Sequence, residues 1–472
     1  MDAMNNPYQP ARPRRRRKTK IQIFKENQLP VIIAGVALLT IFIFIIGAMV
    51  RSAGSNKAKD QTDKITAAQK EEETQRLEAE HADVLARSEK AACMYDYTQA
   101  ISILDSFSGN LDDYPDIQAK RSEYTKVRDS LVPWEDPAKI PNLSLQMLIA
   151  DPKKAFQDAQ YSTQFKQNFL TVDEFSAILE QLYDNGYVLV GLNNIYNVES
   201  TIDGGAQYAA KTIFLPEGKK PLILTQTNVN YHTYLTDGDG DKLPDKDGKG
   251  FANKLLLDAN GNLVNEFIDS QGQVHVGAYD MIPLLENFIA LHPDFSYQGA
   301  RAVIAITGYD GLFGYRTNPQ AEQTLGIEKY THELENAKTI AQALQNAGYE
   351  LACYTYGNTA YGQMSATQIG VEMTKWNDEV ASIIPHINIF VFAKNSDITS
   401  ESLPYSDDRF SLLSNAGFQI YLGFSESGRT WSSITENYIR QGRIMLSPDN
   451  ISSHSDWFTD FFGTTQILDS NR

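Results

Sequence analysis

Cysteine and histidine are scarce in this chain of 472 residues, and their scarcity narrows its chemistry. Two cysteines, Cys93 and Cys353, fall in what read as different domains, so no disulfide framework holds the fold. The seven histidines are spread so that no two stand three or four residues apart. That is the spacing with which one helix or turn offers two imidazoles to a single metal ion. Basic residues thin out after the N-terminus: positions 52–472 carry 33 Lys/Arg against 57 Asp/Glu. Such an excess of negative charge excludes bulk electrostatic capture of nucleic acid. A neutral glycan, or an anionic one with bridging cations, stays within reach. Long apolar runs are absent but for one.

That run covers residues 29–50, opening at Leu29-Pro30 and continuing without charge from Val31 to Val50. About 20 apolar residues suffice to cross a bilayer. The run is too long for a signal-peptide core and lacks a small-x-small cleavage site. Arg12, Arg14, Arg15, Arg16, Arg17, Lys18, Lys20 and Lys25 precede it. The positive-inside rule then makes 1–28 a cytoplasmic basic tail, 29–50 a single transmembrane helix, and the remainder extracellular. The expected location is a cell membrane. A basic run can also bind nucleic acid, but beside a membrane span its role is topological.

Residues 51–132 read as an extracellular helical stalk. Lys57–Ala92 is rich in Ala, Glu, Lys and Gln and contains neither Pro nor Gly. Its apolar positions, such as Ile65, Leu77, Val84 and Leu85, are too sparse for a sustained heptad, which leaves the oligomeric state open. Helical patterns follow at Tyr97–Ser106 and Asp116–Leu131, and Pro133, Pro137 and Pro141 mark a linker over 133–141.

From 142 to 472 strand-like and helical patterns alternate. The strand-like runs are Ser144–Ala150, Val188–Leu192, Pro221–Gln226, Arg301–Thr307, Glu350–Thr355, Asn388–Phe392 and Gln419–Phe424. Helices are predicted near 172–184, 278–291, 332–347 and 366–384. Thr171 and Glu174 stand at capping-box spacing before the first, and Gly348 closes the third. Strands separated by helices imply an α/β fold with a mostly parallel sheet.

Two segments carry a family likeness: Leu224-Thr225-Gln226-Thr227-Asn228-Val229-Asn230-Tyr231 and Gly348-Tyr349-Glu350-Leu351-Ala352-Cys353-Tyr354-Thr355-Tyr356-Gly357-Asn358. They resemble the first two motifs of the polysaccharide deacetylases, the NodB-homology group or carbohydrate esterase family 4. Thr307-Gly308-Tyr309-Asp310-Gly311-Leu312-Phe313-Gly314-Tyr315-Arg316-Thr317 looks like a segment of large membrane-anchored members from Gram-positive bacteria. The likeness covers roughly residues 140–472 and implies a distorted (β/α) barrel, whose cleft lies at the C-terminal strand ends. In that family an Asp-Asp pair and a His-x-x-x-His pair supply a general base and hold a divalent metal. Here Thr227 and Asn228 occupy the first pair, and Tyr354 and Asn358 the second.

A bound metal lowers the pKa of water from about 15.7 to roughly 7. Neutral amides and hydroxyls, with a tyrosine pKa of about 10, replace neither that metal nor its base. The family's catalytic residues therefore transfer to no side chain of this chain, and a zinc-type metal is not expected. His232, four residues after Asn228, is either a solvated loop histidine or a rescued ligand or acid. Tyr231, His232, Tyr354 and Tyr356 are the candidates for contacting a glycan. Asp237, Asp239, Asp241 and Asp245 sit at positions 1, 3, 5 and 9 of a calcium-type loop. Against calcium, Lys242 stands where an EF-hand has Gly, and Gly248 where it has Glu. The leading expectation is a membrane-anchored, catalytically inactive barrel that binds a cell-envelope glycan, peptidoglycan or a partner. The alternatives are an active hydrolase on acetylated wall polymer with a remodelled site, and a membrane-tethered scaffold.

Overall fold

In the computed structural model the described residues are 55–200, 206–238, 240, 243–470 and 472. The basic tail and the apolar run at 29–50 lie outside them, as do Asp239 and Asp241. Among the described residues no helix is long and apolar enough to cross a membrane.

Seven short strands form the centre: β1 (Asn142–Leu145), β2 (Lys220–Thr227), β3 (Val303–Ile306), β4 (Glu350–Cys353), β5 (Ile389–Val391), β6 (Ile420–Phe424) and β7 (Ile439–Met445). They pair in the order β3-β4-β5-β6-β7-β1-β2, all parallel, and the ring shuts where Val303 lies opposite Thr225 and Ala305 opposite Thr227. The fold is therefore a closed seven-stranded parallel barrel. Residues buried on both faces explain the unbroken apolar runs seen in these strands. Ile223, Val303, Ala305, Ala352, Val391 and Leu422 belong to an inner cluster. Their neighbours Leu224, Ile304, Ile306, Leu351 and Phe390 face outward and pack with Phe175, Leu285, Ile340 and Met373 of the surrounding helices. Each such side chain fully buried contributes roughly 1.5–3 kcal/mol.

The inner face also holds polar groups, and each finds a partner. Thr225 Oγ1 donates to Asn142 Oδ1 (2.8 Å), Asn142 Nδ2 to Gln441 Oε1 (3.2 Å), and Gln441 Nε2 to the Ile140 carbonyl (3.1 Å). Arg443 is fully buried and donates to Ser144 Oγ and to the Phe392 and Gly423 carbonyls. Strand β7 went unseen in the sequence because Arg440, Gln441 and Arg443 suggest a solvated segment. In the fold these groups have buried acceptors.

The helices follow their local signals. Val172–Asp184 starts with the full capping box: the Glu174 N–H donates to Thr171 Oγ1, and the Thr171 N–H to Glu174 Oε2. Ile327–Ala347 begins earlier than its pattern suggests and stops at Gly348, whose φ is +104°. The expected strand over 144–150 ends at Leu145, after which Ala150 and Asp151 both donate to the Gly250 carbonyl. Between β2 and β3 an antiparallel three-stranded sheet is inserted (Lys254–Leu257, Leu263–Ile268, Val274–Gly277).

The polar helix Ser55–Cys93 is followed by Tyr97–Asp105 and Pro115–Asp129. Asp83–Arg472 forms one compact unit. Within it Gln298 N–H donates to the Met94 carbonyl (2.7 Å), and Tyr95 joins the cluster that continues into the barrel.

Candidate functional site

Strained backbone gathers at one end of the barrel. Of the nine non-glycine residues with positive φ among the described residues, seven lie beyond a strand's C-terminal end: Asn228, Tyr231, Phe313, Thr355, Asn358, Lys394 and Asn395. Left-handed conformations in Tyr, Phe and Thr are costly and persist only where the surroundings enforce them. The loops after β2, β3, β4 and β5 are thereby held in fixed shapes around a common mouth.

The four motif positions are brought to this end. Thr227 is buried, and its hydroxyl donates to the Leu145 carbonyl (3.2 Å). Asn228 Oδ1 lies 2.8 Å from His232 Nε2. Tyr354 continues the inward alternation of β4 and packs in the inner cluster, and Asn358 is half-buried with φ +51°. An alcohol, two amides and a phenol do not fit a zinc-type ion, which needs imidazole, thiolate or carboxylate donors. Among the described residues no three His, Cys, Asp or Glu side chains converge as a ligand set.

The titratable centre of the mouth is a pair the motifs do not name. His232 is fully buried, so the reading of a solvated loop residue is corrected. Its Nδ1 lies 3.4 Å from Asp310 Oδ2, and its ring stacks on Tyr309 with centroids 4.7 Å apart and planes at 14°. Asp310 Oδ2 also accepts from the Thr233 N–H (2.7 Å) and faces Arg316 Nη1 at 3.7 Å. Arg316 in turn donates to the Asp310 and Tyr231 carbonyls, which ties the β2 and β3 loops together.

Burial pushes the His232 pKa below its ordinary value, although Asp310 pulls it upward. Burial would raise Asp310, but His232, Arg316 and the Thr233 N–H outweigh it and hold the carboxyl low. The neutral ring with its proton on Nδ1 requires Asn228 to turn its NH2 toward Nε2; the charged ring donates from Nε2 to Oδ1. In both states Asn228 occupies the nitrogen that a substrate would need.

The tyrosines expected to form an accessible surface do not. Tyr231 is 1% exposed; its hydroxyl donates to Asp280 Oδ2 (2.9 Å) and accepts from Asn265 Nδ2 (3.0 Å). Asp280, fully buried, accepts also from Leu148 N–H and Gln226 Nε2, and burial raises its pKa despite these donors. Tyr354 and Tyr356 are each 6% exposed, and the Tyr356 hydroxyl donates to Glu379. The exposed rings are instead Tyr309 (37%) and Tyr234 (39%), near-parallel to the His232 ring at centroid distances of 4.7 and 6.0 Å. Asp310 and Arg316 lay in a quoted motif, yet nothing in the sequence linked them to a histidine 78 residues upstream of Asp310.

In the acidic loop, Asp245 Oδ1 accepts from the Asp247 N–H and Asp237 Oδ1 from the Gly240 N–H. These two carboxylates act as turn acceptors.

Fold and mouth together define a closed parallel α/β barrel with a polar, sterically fixed rim at its C-terminal strand ends. No family model matches the chain, and no curated protein does. Among solved structures it is similar to the Streptococcus pyogenes deacetylase PplD in complex with acetate, over 66% of this chain and 95% of that one. The identity is 11% and the TM-score 0.33. A likeness at that level carries no argument about chemistry, and the barrel stands on its own strand pairing.

Proposed function

We propose that this chain is a non-catalytic, deacetylase-like barrel that binds a neutral glycan of the cell envelope at the rim formed by Tyr309 and Tyr234. The apolar run at 29–50 and the basic residues before it would anchor it in a bacterial membrane with the barrel outside. One observation carries the reading: Asn228 covers His232 Nε2, while the exposed Tyr309 ring lies against the imidazole. A planar aromatic at a rigid rim suits the apolar face of a sugar ring, and its hydroxyl suits the sugar's polar edge.

The test uses the full chain in detergent, with isolated cell walls and acetylated chitooligosaccharide. Saturable wall binding is expected, weakened several-fold by Tyr309→Ala and further by Tyr234→Ala, with no acetate released when zinc or cobalt is added. Stoichiometric transition metal accompanied by acetate release would replace this reading with the hydrolase. That second reading draws on the Asp310–His232 pair, which has the form of an oriented acid–base group. It requires Asn228 to leave Nε2.

A further inference from the structure

A cavity of about 670 Å³ opens beside β6 and β7, within the size range of small-ligand sites. None of Thr227, Asn228, His232, Tyr309 or Tyr354 lines it. Its walls come from the loops after β5 and β6 and from the short strand Ser432–Ile434, which runs antiparallel to β7.

Two glycines shape this side of the barrel. Gly423 and Gly442 lie opposite each other on β6 and β7. A Cβ on Gly442 would fall 2.1 Å from Trp431 Nε1, and one on Gly423 would fall 2.7 Å from Asp397 Oδ2. Their missing side chains let the indole lie against β7 and let Asp397 reach Arg440 Nη2 at 2.7 Å. Arg440 also donates to the Thr399, Ser400 and Leu403 carbonyls, so it braces the loop and its charge is spent. Its guanidinium carbon lies 5.2 Å from the Trp431 ring centroid.

The wall retains unspent groups. Trp431 Nε1–H is a buried donor without a hydrogen-bond partner among the described residues. Tyr438 Oη accepts from the Tyr405 N–H (2.9 Å). Glu401 and Glu426 line the cavity and form no ion pair among the described residues. An aromatic ring, several serine hydroxyls and two unpaired carboxylates select a polyhydroxylated ring of positive charge. An anionic ligand would meet only repulsion, since Arg440 is already neutralised. We propose that this cavity binds an amino sugar bearing a free ammonium group, the de-N-acetylated hexosamine unit of a glycan. The proposal is independent of the Tyr309 rim.

Isothermal titration of the detergent-solubilised full chain tests it, with glucosamine tetramer, N-acetylglucosamine tetramer and tetralysine as probes. The glucosamine tetramer is expected to bind at least ten-fold more tightly than either of the others. The Glu401→Gln/Glu426→Gln double variant should lose ten-fold or more of that affinity while keeping its thermal melt. Trp431→Ala, which removes the aromatic wall, should lose several-fold. Equal binding of the acetylated tetramer, equal binding of tetralysine, absence of binding, or an unaffected double variant overturns the proposal.

Discussion

His232 is where burial and charge oppose each other most directly. Its environment comprises the Asp310 carboxylate, the nearby Arg316 guanidinium and the Asn228 amide, and burial leaves its pKa below 6.5. The unfolded histidine takes up a proton as pH falls through about 6.5, whereas the folded one does so only at lower pH. The unfolded state therefore binds more protons in that window, and His232 costs stability as pH falls from 7.5 toward 5. Urea unfolding of wild type and His232→Gln at the two pH values checks this. The wild-type advantage should shrink at pH 5, and a constant difference would show that the ring does not titrate. Asp280 gives a larger effect. Asp280→Ala leaves Leu148 N–H, Gln226 Nε2 and Tyr231 Oη without their acceptor in a fully buried site. Loss of roughly 3–5 kcal/mol is expected, read as a lower urea midpoint.

Helix ends were legible in the sequence because their determinants lie within four residues. The Thr171–Glu174 box and the Gly348 stop are both present. They should not be equally sensitive. Thr171→Ala removes one N-terminal acceptor and should cost about 1 kcal/mol. Gly348→Ala forces a Cβ onto a φ of +104° and to within 2.3 Å of the Gly299 carbonyl oxygen, so it should cost more, roughly 1–3 kcal/mol. Equal melting points for the two variants would contradict this ranking. Strand β7 was illegible for the opposite reason. Arg443 has its acceptors on β1, β5 and β6 or the residues beside them, 20, 51 and 299 positions away, and no local pattern links a guanidinium to partners at that range.

The barrel and the two short helices before it belong to one compact unit beginning at Asp83. The Met94–Gln298 bond and the burial of Tyr95 in the cluster that continues into the barrel tie the turn before those helices to the packing. Residues 83–472 should therefore melt in a single transition. Residues 133–472, stripped of this cover, should melt several degrees lower and bind an apolar dye in the native baseline. Calorimetry and dye fluorescence decide the point, and identical melts would show an autonomous barrel starting near residue 142.

Several features of this protein follow from short-range pattern: alternating strands and helices, capped helix ends, an uncharged run near the N-terminus, and four motif positions without metal ligands. Periodicity and side-chain chemistry need no knowledge of distant neighbours, so the linear chain specifies them. The inward turn of Tyr231, Tyr354 and Tyr356, the exposure of Tyr309 and Tyr234, the His232–Asp310 pair and the Trp431 cavity arise from contacts between separate loops and strands. Ring closure between β2 and β3 sets which residues meet there, because strand register fixes side-chain direction across the whole barrel.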